Sequence, residues 1–220
     1  MNKNKLITFD FEGTLVDFQW NLTRAVNETL TVLSEKGTPR EFFENMNYAA
    51  VYNLAREKGA GWGFIDDIYE KYDLDAASRW KPAAGLLDTL NQLNGYRLAL
   101  VSNIGKNGLD QVLTLFGLQN IFGLIVTRND VRFLKPAPEG LLNAIKWAMV
   151  EKEDTIHIGD SLTDIEAARN AGIKVGIVLG GENQKETLLR QQPDIVIEQL
   201  TELPGALKTM GFNPKPPNHF

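Results

Sequence analysis

The sequence predicts a protein of the α/β class, with a parallel sheet covered by helices on both faces and a small helical insert near its start. Three observations lead there. Six short apolar runs, at 6–9, 98–101, 124–127, 155–158, 175–179 and 195–197, are continuous rather than alternating, as expected of strands buried on both faces. The segments between the later runs have helical spacing, which is the βα alternation of a parallel sheet. Roughly ninety residues separate the first run from the second, far more than one crossover helix needs.

In chain order, the run at 6–9 is the first strand. Between Trp20 and Trp80 the sequence shows three helical stretches and no convincing strand. The second is predicted to start at Thr38-Pro39-Arg40-Glu41, which offers an N-cap, a proline in the first turn and a capping-box glutamate. A cap subdomain over 17–81 follows from this, tethered near Asp17 and again near Pro82. The core is then discontinuous, 1–16 and 82–212, with predicted helices at 85–93, 106–116, 139–150, 164–170 and 184–190. A proline-containing tail, 213–220, lies along the surface or frays. The whole is a Rossmann-like core with an inserted helical cap.

Of the 220 residues, 43% are hydrophobic and 23% charged, the balance of a globular protein of this size. A net charge of -5 argues against nucleic acid as a partner, because such binders carry a basic face. With no cysteine, disulfides, thiolate metal sites and thiol nucleophiles are excluded. The start, MNKNKLITFDFEGT, lacks a small-residue cleavage pattern and reads as mature cytoplasmic sequence. No run approaches the roughly 18 apolar residues of a membrane span. The expected assembly is a monomer or a homodimer.

Ligands of parallel α/β sheets collect outside the carboxyl ends of the strands. After the first run come Asp10, Glu12, Gly13 and Thr14; after the second, Ser102 and Asn103; after the fourth, Gly159, Asp160, Ser161 and Asp164. Four carboxylates at neighbouring strand ends repel one another unless a cation sits among them. An all-oxygen donor set suits a hard divalent ion, and magnesium is the natural candidate.

The order Asp10-Phe11-Glu12-Gly13-Thr14, Ser102-Asn103, Lys135-Pro136 and Gly159-Asp160-Ser161-Leu162-Thr163-Asp164 resembles the four motifs of the haloacid dehalogenase (HAD) superfamily, in its phosphoglycolate-phosphatase-like branch with a helical cap. The segments Lys81-Pro-Ala-Ala-Gly85 and 164–172 extend the likeness over nearly the whole core. The resemblance implies a magnesium-dependent phosphatase that hydrolyses a phosphate monoester of a small metabolite through an aspartyl-phosphate on Asp10. It implies Glu12 as general acid and base, with its backbone carbonyl on the metal. Ser102 and Asn103 would hold the phosphoryl group, Lys135 would stabilise its charge, Asp160 and the Asp10 carboxylate would ligate magnesium, Asp164 would do so through water or would support the ligands from behind, and Thr14 would orient the loop. Phosphoglycolate and sugar phosphates are the substrates to which the cap resemblance points.

Duller readings stand beside these: Ser161 and Asp164 as helix caps, Ser102 as a strand-end turn, Lys135 as a loop lysine. The departure from the family pattern is Glu12, where most such phosphatases carry Asp. One added methylene moves the proton donor by on the order of 1 Å, which can cost roughly 100-fold in rate, so a weakly active or non-catalytic phosphometabolite-binding protein is one alternative; a phosphomutase, which uses the same aspartyl-phosphate but returns it to a second hydroxyl, is the other. The acids at 160 and 164 disfavour dehalogenation. In the cap, Gly59-Ala60-Gly61-Trp62-Gly63 is either an active-site loop or a connector. Arg24, Arg56, Lys58 and Arg79 either meet a second anionic group of the substrate or are surface charges. Trp20, Trp62 and Trp80 read as packing residues and His157 as a satisfied core histidine, while His219 lies in the tail.

Overall fold

The computed structural model describes residues 5–43, 45–59 and 63–214. Trp62, most of the glycine-rich segment at 59–63, and the tail beyond 214, with His219, lie outside the described residues. Six strands, β1 (Leu6–Phe9), β2 (Arg97–Val101), β3 (Leu124–Val126), β4 (Thr155–Gly159), β5 (Lys174–Val178) and β6 (Ile195–Ile197), form one sheet in the order β3-β2-β1-β4-β5-β6. Every pairing is parallel. The strand order reverses between β1 and β4, and their carboxyl ends open a crevice there. Asp10 and Asp160 are the first residues beyond those two ends.

Alternation assigns each strand residue to a face. Ile7, Phe9, Leu98, Leu100, Ile156 and Ile158 join one apolar cluster with α4 (Leu86–Gln92), α5 (Lys106–Leu115) and α9 (Leu203–Thr209). Leu6, Ala99, Val101, Val175 and Ile177 join another with α6 (Glu139–Ala148), α7 (Leu162–Ala171) and α8 (Lys185–Leu189). Thr8 and His157 are cross-strand partners on the second face, two buried polar residues side by side in an otherwise apolar layer. The helix α9 was not among the predicted ones.

Between β1 and β2 lie α1 (Leu22–Glu35), α2 (Tyr48–Lys58) and α3 (Phe64–Ala77). The second helix does not start at Thr38. Residues Arg40–Phe43 make a separate 3-10 turn, and α2 begins at Tyr48, where the Asn47 side chain accepts from Ala50 N. The Thr38-Pro39 signal thus opened a short turn rather than the helix. The two linkers run side by side: Asp17 N donates to Lys81 O (3.0 Å), Lys81 N to Asp17 Oδ1 (2.6 Å) and Ala83 N to Leu15 O (2.9 Å). Apolar residues of the inserted helices, among them Leu33, Tyr52, Ile65 and Tyr69, continue the cluster of the first sheet face.

A buried ion pair also ties α3 to the sheet. Arg128, just after β3, places Nη1 2.6 Å from Asp73 Oδ2. The same aspartate accepts from Trp20 Nε1 and Gly105 N, each at 3.0 Å. With three donors around it, Asp73 fixes α3 against the loop that leads into α5.

Candidate active site

The sheet brings Asp10, Glu12, Ser102, Asn103, Lys135, Asp160 and Ser161 to one cavity of about 30 Å³ at the β1/β4 crevice, together with Phe18, Tyr48 and Glu182. Lys135 is its hub: the buried ammonium lies 2.6 Å from Asp10 Oδ1 and 2.6 Å from Asp164 Oδ1. Burial disfavours the charged amine, but the two carboxylates outweigh it and push its pKa up. Lys135 is therefore no ordinary loop lysine.

Asp164 is saturated. Its Oδ1 also meets His157 Nε2 at 2.9 Å, and its Oδ2 accepts from Asp160 N (3.2 Å), Ser161 N (3.1 Å) and Ser161 Oγ (2.5 Å). Burial alone would raise its pKa; the Lys135 charge and the His157 contact outweigh burial and hold the carboxyl well below the usual range. Ser161 and Asp164 form a capping box at the start of α7, so the capping reading describes real bonds, and the same bonds aim Asp164 at Lys135. His157 is satisfied, as expected, by Thr8 Oγ1 at 2.9 Å on one side and Asp164 on the other.

Asp160 is held differently. Its Oδ2 accepts from Glu182 N at 2.5 Å and its Oδ1 from Thr14 Oγ1 at 3.5 Å. Gly13 (φ +78°) and Gly181 press backbone against it, and a Cβ at either position would fall within 2.2 Å and 2.0 Å of Asp160 Oδ2; glycine is required at both. Burial, then Asp164 and Asp10, raise the Asp160 pKa far above its ordinary value. Burial also raises that of Asp10, against the pull of Lys135.

Carboxylate oxygens of Asp10, Asp160 and Asp164 lie within 4.8 Å of one another. Lys135 compensates Asp10 and Asp164, while no cationic side chain pairs with Asp160 among the described residues. A buried carboxylate without a counter-charge is unfavourable, and a hard divalent cation beside Asp160 and Asp10 removes that cost. The donor set fits magnesium.

Glu12 turns toward the linkers. Its Oε1 accepts three bonds of 2.7 Å, from Gln19 N, Trp20 N and Trp80 Nε1. Burial raises its pKa to about 7 despite these donors. The extra methylene thus reaches a ready-made set of N–H donors at the base of the inserted segment, and Trp80 is more than a packing residue.

Ser102 Oγ accepts from Ile104 N at 3.2 Å, the strand-end turn that the sequence offered as its dull reading, while Ser102 still lines the cavity. Asn103 spends its amide on the next motif: Oδ1 accepts from Lys135 N (2.9 Å), and Nδ2 donates to Lys135 O (3.2 Å) and Tyr48 Oη (3.0 Å). From α2, Asn53 clamps Leu134 in the same way, accepting from its N (2.7 Å) and donating to its O (3.0 Å). Of the four cap cations considered in the sequence, Arg56 pairs with Asp66, Arg79 pairs with Asp75, Lys58 lies over Phe42 and Arg24 is exposed. None of the four lines the cavity.

A model of the haloacid dehalogenase-like hydrolases matches residues 7–178. The chain belongs to that family. Membership makes it a hydrolase, and curated proteins that it resembles over most of its length are named phosphoglycolate phosphatases. It is 31% identical over 217 residues to phosphoglycolate phosphatase 1 of Pseudomonas aeruginosa, covering 90% of this chain and 78% of that protein. It is 36% identical over 126 residues to pyrophosphatase PpaX of Halalkalibacterium halodurans, covering 56% and 58%. A HAD-like hydrolase of Bacteroides fragilis superposes with a TM-score of 0.68 at 23% identity, over 91% of this chain and all of the other, which establishes the shared fold.

Sequence reasoning missed Glu182, Tyr48 and Asn53. Glu182 follows β5 through Gly180-Gly181, so reading the fifth strand end as the others were read would have found it. Tyr48 and Asn53 lie on an inserted helix and carried no motif. Among the described residues no helix is long and apolar enough to cross a membrane.

Proposed function

We propose that this hydrolase is a magnesium-dependent phosphatase of small-metabolite monoesters that works through an aspartyl-phosphate on Asp10. The observation that carries the proposal is the Asp10–Lys135–Asp164 chain set beside Asp160, a buried carboxylate with no cationic partner. The proposed boundaries are a core of 1–16 and 82–212 and a cap of 17–81, whose helices roof the crevice.

In this reading Lys135 occupies Oδ1 of Asp10, and the other carboxylate oxygen attacks phosphorus in line with the departing alcohol. The P–O bond to the alcohol breaks as the bond to Asp10 forms. Glu12, anchored by Oε1, gives its proton to the leaving oxygen and then takes one from the water that cleaves the acyl phosphate. A pKa near 7 suits both tasks. Ser102 receives a phosphoryl oxygen. Asn103 positions Lys135 rather than the phosphate, since its amide is already engaged. Asp164 acts through Lys135 and through the turn that carries Asp160. When bound, magnesium held by Asp160, Asp10 and the Glu12 backbone carbonyl would neutralise charge on the transferring group.

The test is phosphate release from a panel of monoesters with magnesium, with EDTA, and with Asp10→Asn. Turnover that needs both the metal and Asp10, with the variant slowed by roughly 10⁴-fold or more, supports the proposal. Turnover that survives in folded Asp10→Asn overturns it.

A further inference from the structure

Three adjoining cavities run from Asp10 out beneath α1 and α2, and all three share Tyr48 and Glu182. The outermost measures about 300 Å³. In the phosphatase reading this is where the alcohol part of the ester lies. Its walls include Phe18, Leu22, Val26 and Tyr48, with Asp73, already paired with Arg128, in the middle and the neutral amides of Asn27 and Asn47 at the outer end.

The only cation lining any of the three, among the described residues, is Lys135, and it is already bound to Asp10 and Asp164. Arg40 touches the passage only indirectly, donating to Asn27 Oδ1 at 3.1 Å from an exposed position, and it does not line it. In place of a cation the passage holds Glu182, a largely buried carboxylate for which no ion pair is formed among the described residues. A carboxylate or second phosphate on the alcohol would be desolvated beside Glu182 in the two outer cavities, where no cation lines the wall among the described residues, and like charges brought together out of water repel strongly. A hydroxyl or ammonium group would instead donate to Glu182.

We infer that the substrate is a phosphate monoester whose alcohol part bears a hydrogen-bond donor, a hydroxyl or an amine, and no second anionic group. This rests on the phosphatase reading and sharpens it. It sets the passage apart from what the name of the Pseudomonas aeruginosa relative suggests, since phosphoglycolate carries a carboxylate.

Matched esters test it. With magnesium present, kcat/KM is measured for glycerol 3-phosphate against 3-phosphoglycerate, and for O-phosphoethanolamine against 2-phosphoglycolate, with p-nitrophenyl phosphate as a reporter of the chemical step. The expected result is at least a tenfold preference for the uncarboxylated member in one or both pairs, and which pair shows it separates a polyol from an amine. Glu182→Gln is expected to shrink the preference from both sides, raising turnover of the carboxylated ester and lowering that of its hydroxyl- or amine-bearing counterpart, with backbone Glu182 N still available to Asp160. Equal or reversed preference, with p-nitrophenyl phosphate hydrolysed, overturns this inference and leaves the phosphatase reading standing. No metal-dependent turnover of any ester, p-nitrophenyl phosphate included, overturns both.

Discussion

Two buried carboxylates flank Asp10, and the molecule treats them in opposite ways. Asp164, at the head of α7, is surrounded by five donors that include an ammonium, and it is held charged. Glu12, at the foot of the inserted segment, has three donors on a single oxygen and none of them is a cation. Its proton is therefore kept up to about pH 7. Between these two acids, both buried and both richly hydrogen-bonded, the charge on the donors makes the difference. A carboxylate fixed in its charged form is suited to hold other groups in place, and one poised near neutrality is suited to move a proton.

The strongest way to break this comparison is Asp164→Ala. It takes from Lys135 one of its two carboxylates and leaves His157 Nε2 and two backbone N–H groups without their acceptor, and the expected loss is about 3–5 kcal/mol of stability with turnover abolished, read by thermal unfolding and phosphate release together. A stable variant would show that the α7 corner is not a support. Glu12→Gln keeps an acceptor for Trp80 and the two amides but has no proton to give. It should slow kcat by roughly 10²–10⁴-fold with little change in Tm; an unfolded variant would make Glu12 structural.

The pH dependence sharpens the same contrast. If Glu12 is the acid, kcat/KM of the metal-saturated enzyme falls as pH rises through about 7, and Glu12→Gln lacks that limb. Stability follows the same proton. The folded value lies above the ordinary 4.5, so the contribution is complete below about 4.5 and is lost as pH climbs to about 7. The Tm of Glu12→Gln should accordingly fall less than that of the wild type across this window. The smallest effect is that of Ser161→Ala, which removes the N-cap of α7 at a cost of about 1 kcal/mol, measured by urea unfolding, while turnover persists.

The two corners also differ in how readily the sequence disclosed them. Strand β1 and strand β6 fall at the residues expected from their apolar runs, and β2 to β5 differ only at their ends. Buried parallel strands leave that continuous signature, and the acids of the Asp164 corner follow it at fixed offsets. The Glu12 corner was legible only as an odd residue, because its partners Trp20 and Trp80 are sixty positions apart in a segment whose fold depends on helix packing rather than on motif spacing. Thr38-Pro39 misplaced a helix start for the same reason: a capping signal states that a turn can begin, and tertiary contacts decide how far it runs. The Asp73–Arg128 pair had no local signal at all, since it joins elements from opposite sides of β2.

The clamp of Asn53 on Leu134 ties these regions together mechanically. Asn53 supplies both an acceptor and a donor to one peptide segment, directly before the lysine that Asn103 grips from the other side. Helix α2 therefore cannot lift without uncovering a backbone N–H and C=O one residue from the hub of the charge network. In the language of machines, roof and floor share a fastener, and it is set one residue from Lys135.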